Sequence, residues 1–422
     1  AMPVGELGLR LPRGLRDFPP EEMAKRSYVE RVARHVLELY GYQEVCTPIF
    51  ERFELFALRS GEEIRSKMFV FRIDEGEVAL RPELTAPIAR MIATGKLDLG
   101  KKPLKLYYVG PCYRYDEPQA GRYREFWQIG VELVGSSRPE ADAEAIKMAV
   151  RILEELGLGG WKLKIGHMAV IRALLARAGV PEEARNRIIG PLDAISSSMD
   201  KLRMYRDRLA SGEPLGPDEL ADLVRRCDEV RSWKEEELEK MDLGESPIPA
   251  SYADRLELDP RIYRLRELHA GGAYQEICDI IDRKLEEIPF LTGLRWAYYG
   301  VPYGGREVYK MPMEISELLF KLMEVRGPAE EALEALRDLL GSSGPVGEAI
   351  SDFEELLEAL SWFGVEDYVV DMSVVRGLEY YTGMVFEVDF PPLGAQKQIC
   401  GGGRYDKLIE EFGGPSLPAV GF

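Results

Sequence analysis

The sequence has few of the residues that bind zinc or build a disulfide framework. Its five cysteines include no Cys-x-x-Cys pair, and its three histidines lie far apart, at positions 35, 167 and 269. A zinc site needs a cluster of such ligands, and a disulfide scaffold needs paired cysteines. The sequence therefore predicts neither, and each cysteine is expected to be a small, mostly buried apolar side chain.

The sequence also has no long apolar runs, and it has fewer positively than negatively charged residues. No run approaches the roughly 20 apolar residues that cross a bilayer, and the first twenty residues carry prolines and charges in place of a signal-peptide core. We therefore expect a cytoplasmic protein without a membrane partner. The 73 acidic residues outnumber the 55 Lys and Arg, for a net charge of −18. This balance excludes a general nucleic-acid coat, although a local arginine cluster could still bind RNA.

What is present predicts an α+β chain of two or three domains. The 422 residues are 45% hydrophobic, which is enough to fill a sizeable core. A helix is predicted at 20–40, followed by β-type runs that suggest an antiparallel sheet built from hairpins. These runs lie near residues 44–50, 67–71, 77–81, 104–109 and 126–134.

From about 160 to 365 the pattern changes to a mostly helical array. The charged run KEEELEK at 234–240 is interpreted as a solvated helical face, since runs of mixed charge usually face water. The array contains no internal repeat or low-complexity tract.

The most informative segment is the charged loop RYDEPQAGRYREFWQ at 114–128, between the β-type runs 104–109 and 129–134. Its arginines present planar, permanently charged forks that can grip phosphate from two directions. A hairpin of this kind can also simply solvate the edge of a sheet. Other segments are needed to decide between the two.

Two further segments carry polar groups suited to a small ligand. In LRPELT (80–85), Glu83 and Thr85 would share one face of a strand and could hold an ammonium group together. In VVRGLEYYTG (374–383), Arg376 precedes a glycine, and CGGGRYD (400–406) follows. The glycine triplet could let the backbone approach a ligand closely.

Together these segments closely resemble the histidyl-tRNA synthetases, which are class II aminoacyl-tRNA synthetases. The loop at 114–126 is similar to the archaeal form of class II motif 2. Residues 375–383 and 400–406 resemble the two halves of the histidine-specific signature. YGYQEVCTP (40–48) resembles motif 1, and LPRGLRDF (11–18) resembles the amino terminus of the family.

The resemblance implies a class II antiparallel sheet flanked by helices, with a large, mostly helical insertion. The predicted domains are a first catalytic part at 1–160, the insertion at 161–365 and a second catalytic part at 366–422. The insertion is longer than is usual in the family. Motif 3 and the anticodon-binding domain of the family would follow Phe422 and are expected to be absent from this chain. The sequence leaves open whether 422 is a natural terminus.

The resemblance also implies an activity, with ATP and Mg²⁺ as its cofactors. The protein would activate histidine to histidyl-adenylate and transfer it to tRNA(His). It would act as a homodimer through the motif 1 segment 40–51 and the helix before it. The catalytic residues would be Arg114 and Arg376, both on the α-phosphate. The expected ATP-binding residues are Arg114, Asp116, Tyr123 and Arg376.

The same resemblance assigns histidine binding and tRNA binding to further residues. It implies no metal-binding residue. The residues expected to bind histidine are Glu83, Thr85, Gln128, Glu132, Tyr381 and Tyr405. Those expected to contact tRNA are Gln119 and Arg122. Tyr380 is expected to pack beneath the histidine pocket.

Two other functions are open. One is a histidine-binding regulator that resembles the ATP phosphoribosyltransferase regulatory subunit, and the other is a tRNA-binding factor without catalysis. The enzyme is favoured because a histidine sensor has no phosphate to clamp, whereas Arg114, Gln119, Arg122 and Arg376 are all present.

Overall fold

A computed structural model describes residues 11–60, 67–100, 102–117, 122–375 and 380–422. The chain divides by its contacts into two units. The first comprises residues 11–170, 326–374 and 380–422, and the second comprises Ile171–Val325 with Val375. Within the described residues, no helix is both long enough and apolar enough to cross a membrane.

Fourteen strands are found in the described residues. They are β1 (Gln43–Glu44), β2 (Phe50–Arg52), β3 (Val70–Ile73), β4 (Gly76–Leu80), β5 (Leu104–Tyr113), β6 (Glu125–Val134), β7 (Lys162–His167), β8 (Val301–Tyr303), β9 (Glu307–Tyr309), β10 (Arg326–Gly327), β11 (Val369–Asp371), β12 (Met384–Asp389), β13 (Gln398–Arg404) and β14 (Ala419–Gly421).

Helices occupy most of the remaining described chain. They are α1 (Pro20–Leu39), α2 (Phe53–Ser60), α3 (Thr85–Ala93), α4 (Pro139–Glu155), α5 (Met168–Arg177), α6 (Glu182–Ala210), α7 (Pro217–Asp242), α8 (Leu265–Ala270), α9 (Tyr274–Leu294), α10 (Met313–Met323), α11 (Ala329–Leu340), α12 (Gly344–Trp362) and α13 (Leu408–Glu411). Short 3₁₀ turns lie at Ala250–Leu256, Pro260–Arg264 and Pro391–Gln396, and a π turn lies at Arg295–Tyr299.

The first unit is built on a nine-stranded sheet in the order β1-β5-β6-β14-β13-β12-β7-β11-β10. The predicted antiparallel sheet is confirmed, since only the β1–β5 and β7–β11 pairs are parallel. The predicted runs near 50, 70 and 78 form a separate three-stranded sheet, β2-β4-β3. The predicted helix at 20–40 is α1.

Helix α4 packs on β6, β13 and β14, and α12 packs on α4. Small side chains at Ala141, Ala145 and Ala149 are buried on α4 and allow this close approach. A buried ion pair joins the helix to the sheet, because Asp142 accepts from the Arg404 Nε at 2.9 Å. Burial raises the pKa of Asp142 to about 6, against the lowering effect of Arg404.

By its contacts the second unit is narrower than the predicted insertion, 161–365. Residues 162–167 form β7 inside the large sheet, and Gly327 of β10 pairs with Val370 of β11 in the same sheet. Helix α12 packs on α4 in the first unit. The division into domains itself stays a prediction.

The second unit is mostly helical, as the sequence pattern predicts. Helices α6 and α9 pack against each other through a buried apolar cluster that includes Leu202, Leu209 and Ile277. Helix α6 continues through Pro191, which removes one backbone donor from the helix, and Ile188 and Leu192 near it are buried.

The interpretation of residues 234–240 as a solvated face is wrong at two positions. Lys234 and Glu237 are each 1% exposed. The Lys234 ammonium lies 2.5 Å from a carboxylate oxygen of Glu287 and donates to the Glu257 carbonyl at 3.0 Å. Glu237 accepts from the Tyr299 and Ser246 hydroxyls. Partners so distant in sequence cannot be read from a local charge run.

Candidate active site

The candidate site is built around the β5–β6 hairpin. Gln128, Gly130 and Glu132 alternate along β6 and therefore share one face of the sheet. Across the two neighbouring strands, Tyr108 of β5 is opposite Gly130, and Gly421 of β14 is opposite Glu132. This register places Tyr108 and Gly421 next to the part of β6 that carries Glu132.

Glu132 lies at the centre of this face and is completely buried. The Tyr405 hydroxyl donates to one carboxyl oxygen, and the Tyr108 hydroxyl donates to the other at 3.2 Å. Burial raises the pKa of Glu132 from 4.5 to about 8, although Tyr405, Thr85 and Tyr108 all lower it. The nearby carboxyl of Glu83 raises it further. Glu132 is therefore mostly protonated at neutral pH.

Glu83 and Thr85 are brought together, but not in the way the sequence predicts. The strand expected to carry both is absent, because Thr85 begins helix α3. Glu83 precedes that helix and accepts the backbone N–H of Thr85 at 2.5 Å and that of Ala86 at 3.1 Å. A carboxylate at a helix amino terminus also gains from the helix dipole. Burial nevertheless raises the pKa of Glu83.

Gln128 contacts a thiol that the sequence analysis did not single out. Cys112 on β5 is completely buried, and its Sγ donates to the Gln128 amide oxygen at 3.2 Å. Burial raises the pKa of Cys112 to about 12, so this thiol is protonated. The contact fixes one end of the Gln128 amide.

Three tyrosines form an aromatic wall. The ring of Tyr380 lies 5.0 Å from the ring of Tyr381 and 5.7 Å from the ring of Tyr405, measured between centroids. All three are buried. Tyr381 and Tyr405, assigned from sequence to the histidine pocket, thus share a wall with Tyr380 between them.

Of the two arginines expected to bind phosphate, the structure describes one. Arg114 follows β5, donates from Nε to the Pro82 carbonyl at 3.0 Å and lies 4.9 Å from the centre of the Phe126 ring. Burial lowers the pKa of Arg114. Arg376 lies outside the described residues.

The motif 2 loop contacts the amino-terminal segment. Asp116 forms an ion pair with Arg122 at 2.9 Å, and Glu117 pairs with Arg13. The Tyr123 ring lies 4.4 Å from the Arg16 guanidinium. The Asp116–Arg122 pair joins a residue assigned to ATP to one assigned to tRNA. Gln119 lies outside the described residues.

Sequence reasoning missed two buried polar residues near this site, Tyr108 and Arg81. Tyr108 had a readable signal, since it lies in β5 and the alternation there predicts its facing direction. Arg81 had no readable signal in the sequence, because its partners are backbone carbonyls.

No group of three or more Cys, His, Asp or Glu suited to a metal ion occurs in the described part of the chain.

The glycine triplet at 401–403 is explained mainly by the approach of its own strands. A Cβ on Gly402 would lie 2.1 Å from the Gly421 carbonyl oxygen. One on Gly403 would lie 2.6 Å from the Met384 carbonyl oxygen and 2.8 Å from the Tyr381 ring. Close approach of a ligand to the triplet, which the sequence allows, stays a prediction.

A mostly antiparallel sheet flanked by helices, with the charged β5–β6 hairpin on it, defines the class II aminoacyl-tRNA synthetase fold. Solved structures of similar fold include the S. aureus histidyl-tRNA synthetase, at TM-score 0.50 and 25% identity, with 98% of this chain and 70% of that one covered. An ATP phosphoribosyltransferase regulatory subunit/histidyl-tRNA synthetase from Bacillus halodurans matches at TM-score 0.63 and 23% identity, covering 98% and 80%.

Sequence comparison identifies the family. The histidyl-tRNA synthetase family model matches residues 14–202 and 240–422. The histidine–tRNA ligase of Methanocaldococcus jannaschii is 36% identical over 413 residues, 97% of this chain and 72% of that relative. The Methanosarcina acetivorans ligase is 35% identical over 412 residues, with 97% and 72% covered. The chain belongs to the histidyl-tRNA synthetase family, whose members are class II aminoacyl-tRNA ligases.

Proposed function

We propose that this chain activates histidine with ATP to histidyl-adenylate and transfers it to tRNA(His) in the cytoplasm. The observation that carries the proposal is the pair of carboxyl groups, Glu83 and Glu132, beside the partly buried Arg114. Carboxyl groups suit a ligand with two cationic or N–H-donating ends, and a buried arginine suits phosphate. Histidyl-adenylate formation needs both.

Histidine selection is assigned to the groups around Glu132. Its carboxyl, with the Tyr405 hydroxyl bound to it, would read one imidazole nitrogen, and Tyr381 would flank the ring. A site that hydrogen-bonds a ring N–H rejects analogues without one more strongly than a shape pocket does. Glu83, Thr85 and Gln128 would hold the α-amino end, where the negative charge of Glu83 matches an ammonium.

ATP binding is assigned to the start of the motif 2 loop. Arg114 would clamp the α-phosphate from one side and Arg376 from the other, stabilising charge that develops as pyrophosphate leaves. Asp116 and Tyr123 would contact the nucleotide. Mg²⁺ would enter with the triphosphate, because it prefers phosphate oxygens and water to a dedicated protein cage.

Contacts to tRNA are assigned to Gln119 and Arg122. Arg122 is exposed, which leaves it able to reach an acceptor stem once its pair with Asp116 opens. Such contacts carry affinity through phosphate charge and weaken as salt rises.

We also propose a homodimer through α1 and residues 40–51. Large apolar side chains are exposed there, including Tyr28, Leu39, Ile49 and Phe50. Exposed apolar groups gathered in one region mark interaction surfaces more often than scattered ones do.

The test is histidine-dependent exchange of pyrophosphate into ATP, measured with each of the twenty amino acids. We expect exchange with histidine alone. Glu83→Gln should raise the histidine requirement strongly, because a neutral amide cannot pair with an ammonium. Glu75→Gln is the matched control, since that side chain is exposed. Equal exchange with glutamine or phenylalanine would contradict the proposal. Histidine binding without any exchange would favour the regulatory alternative.

A further inference from the structure

Arg81 is a buried cation that none of the proposed chemical steps uses. It directly follows β4, and only 3% of the residue is exposed to solvent. Its guanidinium donates to the carbonyls of Thr47 at 2.7 Å, Pro48 at 3.1 Å and Pro111 at 2.9 Å. One side chain therefore ties two segments that are more than sixty positions apart in sequence.

The backbone around Arg81 makes the same connections. The Arg81 N–H donates to the Ile49 carbonyl at 3.0 Å, and the Tyr113 N–H donates to the Arg81 carbonyl at 2.9 Å. One residue further on, the Pro82 carbonyl accepts from the Arg114 Nε at 3.0 Å. Arg81 is thus adjacent to the segment that carries Glu83 and joined to the end of the strand that carries Arg114.

The slot for this guanidinium depends on a glycine. A Cβ built on Gly110 would lie 2.5 Å from an Arg81 terminal nitrogen and 3.5 Å from the carbon that joins the guanidinium nitrogens. A side chain at position 110 would therefore have to displace the Arg81 fork, whose other two nitrogens donate to the carbonyl partners. The glycine is required by close approach, since it lies inside strand β5.

Lysine cannot reproduce these contacts. A guanidinium has five donors in a rigid planar fork, whereas an ammonium is a compact charge on a flexible stem. Carbonyls on two separate segments, 47–48 and 111, need donors at a fixed separation. Lysine at position 81 would keep the charge and lose the geometry.

We propose that Arg81 is a positioning residue that fixes Glu83 and Arg114 relative to each other. This proposal rests on the proposed function, in which Glu83 holds the α-amino group and Arg114 clamps the α-phosphate. Arg81 touches neither substrate. It sets the distance between the two groups that must act on one histidine and one ATP, and errors of about 1 Å in such placement can cost roughly 100-fold in rate.

The test compares Arg81→Lys and Gly110→Ala with Arg52→Lys in pyrophosphate exchange. Arg52 lies in β2, which pairs with β4, is exposed, and donates to the Glu75 carbonyl at 2.7 Å, so it controls for the chemical change itself. Arg81→Lys should raise the KM for histidine and lower kcat, each roughly 10- to 100-fold. Gly110→Ala should do the same with the arginine retained. Arg52→Lys should change either value by less than about two-fold.

A double-mutant cycle separates positioning from a general structural role. If Arg81 acts through Glu83, Arg81→Lys should raise the KM for histidine far less in a Glu83→Gln background than in the parent chain. Equal effects in both backgrounds would overturn the positioning role while leaving the proposed function standing. If Glu83→Gln by itself does not change the KM for histidine, the role of Glu83 fails and the inference about Arg81 fails with it. A loss of folding in Arg81→Lys leaves Gly110→Ala to decide, and unchanged kinetics in Gly110→Ala would overturn the proposal.

Discussion

Replacing Glu132 by glutamine should stabilise the folded chain at neutral pH while weakening histidine binding. The carboxyl of Glu132 has an ordinary pKa of 4.5, which burial raises to about 8 in the folded chain. Between these values the folded state holds a proton that the unfolded state has released. The free energy of unfolding therefore falls as pH rises from about 4.5 to about 8, and this contribution is constant above that range.

The size of the effect follows from that interval. The folded chain must bind a proton at Glu132 that the unfolded chain releases. At about 1.4 kcal/mol per pH unit, this lowers the free energy of unfolding by about 3 kcal/mol at pH 7 and by a little over 4 kcal/mol at pH 8. Glutamine has nearly the same shape and does not titrate, so it avoids this cost. Its amide oxygen can still accept from the Tyr405 hydroxyl, which donates to Glu132 in the parent chain. We therefore expect the stability advantage of Glu132→Gln to grow by roughly 3 kcal/mol between pH 5 and pH 8.

Urea unfolding of the parent chain and of Glu132→Gln at pH 5 and pH 8 measures this directly, with Glu75→Gln as the exposed control. Calorimetry at pH 8 should show histidine binding weakened about 10-fold or more, because the amide replaces a group that can accept as a carboxylate. A stability difference that does not change with pH would refute the reasoning. So would a variant less stable than the parent at pH 8.

Three further outcomes are expected. Arg114→Ala should lower kcat for pyrophosphate exchange roughly 100-fold or more while changing calorimetric histidine binding only a few-fold, and equal losses in both would contradict a transition-state role. Arg122→Ala should slow tRNA charging and leave pyrophosphate exchange unchanged; a loss of exchange would instead place Arg122 at the nucleotide. Light scattering should give a dimer mass for the parent chain and a lower mass for Leu39→Asp, since Leu39 is 71% exposed on α1. A monomeric parent would refute the dimer.

The hairpin was predictable because its information is local. Alternating apolar residues at 104–109 and 129–134, with a charged loop between them, define β5 and β6, and the period of two places Gln128 and Glu132 on one face. The resemblance added roles to these positions. The alternation itself does not depend on distant parts of the chain.

The segment after β4 was mispredicted even though a local signal was present. Pro82 follows shortly after the end of β4 at Leu80, and the acidic Glu83 two residues before Thr85, with Pro87 in the first turn, is typical of a helix amino terminus. Treating residues 80–85 as one strand gave the correct neighbours for the wrong reason. Glu83 and Thr85 meet because the glutamate caps the helix.

The buried charges could not be predicted, because their partners are remote. Lys234 is paired with Glu287 on α9, and Arg81 is held by backbone carbonyls near residues 47 and 111. A backbone carbonyl leaves no signal in the sequence, since every residue carries one. Sequence patterns therefore assign such residues to the surface or overlook them, and only the folded contacts show what they hold.

The glycines of the site connect the sheet to its chemistry. Gly421 is opposite Glu132, and a Cβ there would lie 2.0 Å from the Glu132 carboxyl oxygen that accepts from Tyr405. A Cβ on Gly130 would lie 2.3 Å from the Tyr108 hydroxyl oxygen, the other donor to Glu132. Absence of side chains on two neighbouring strands thus makes the space in which the carboxyl and its donors meet. A carboxyl enclosed in this way is cut off from water, and that enclosure is why its pKa lies near 8. The strand spacing and the acid–base property of the site accordingly have one cause.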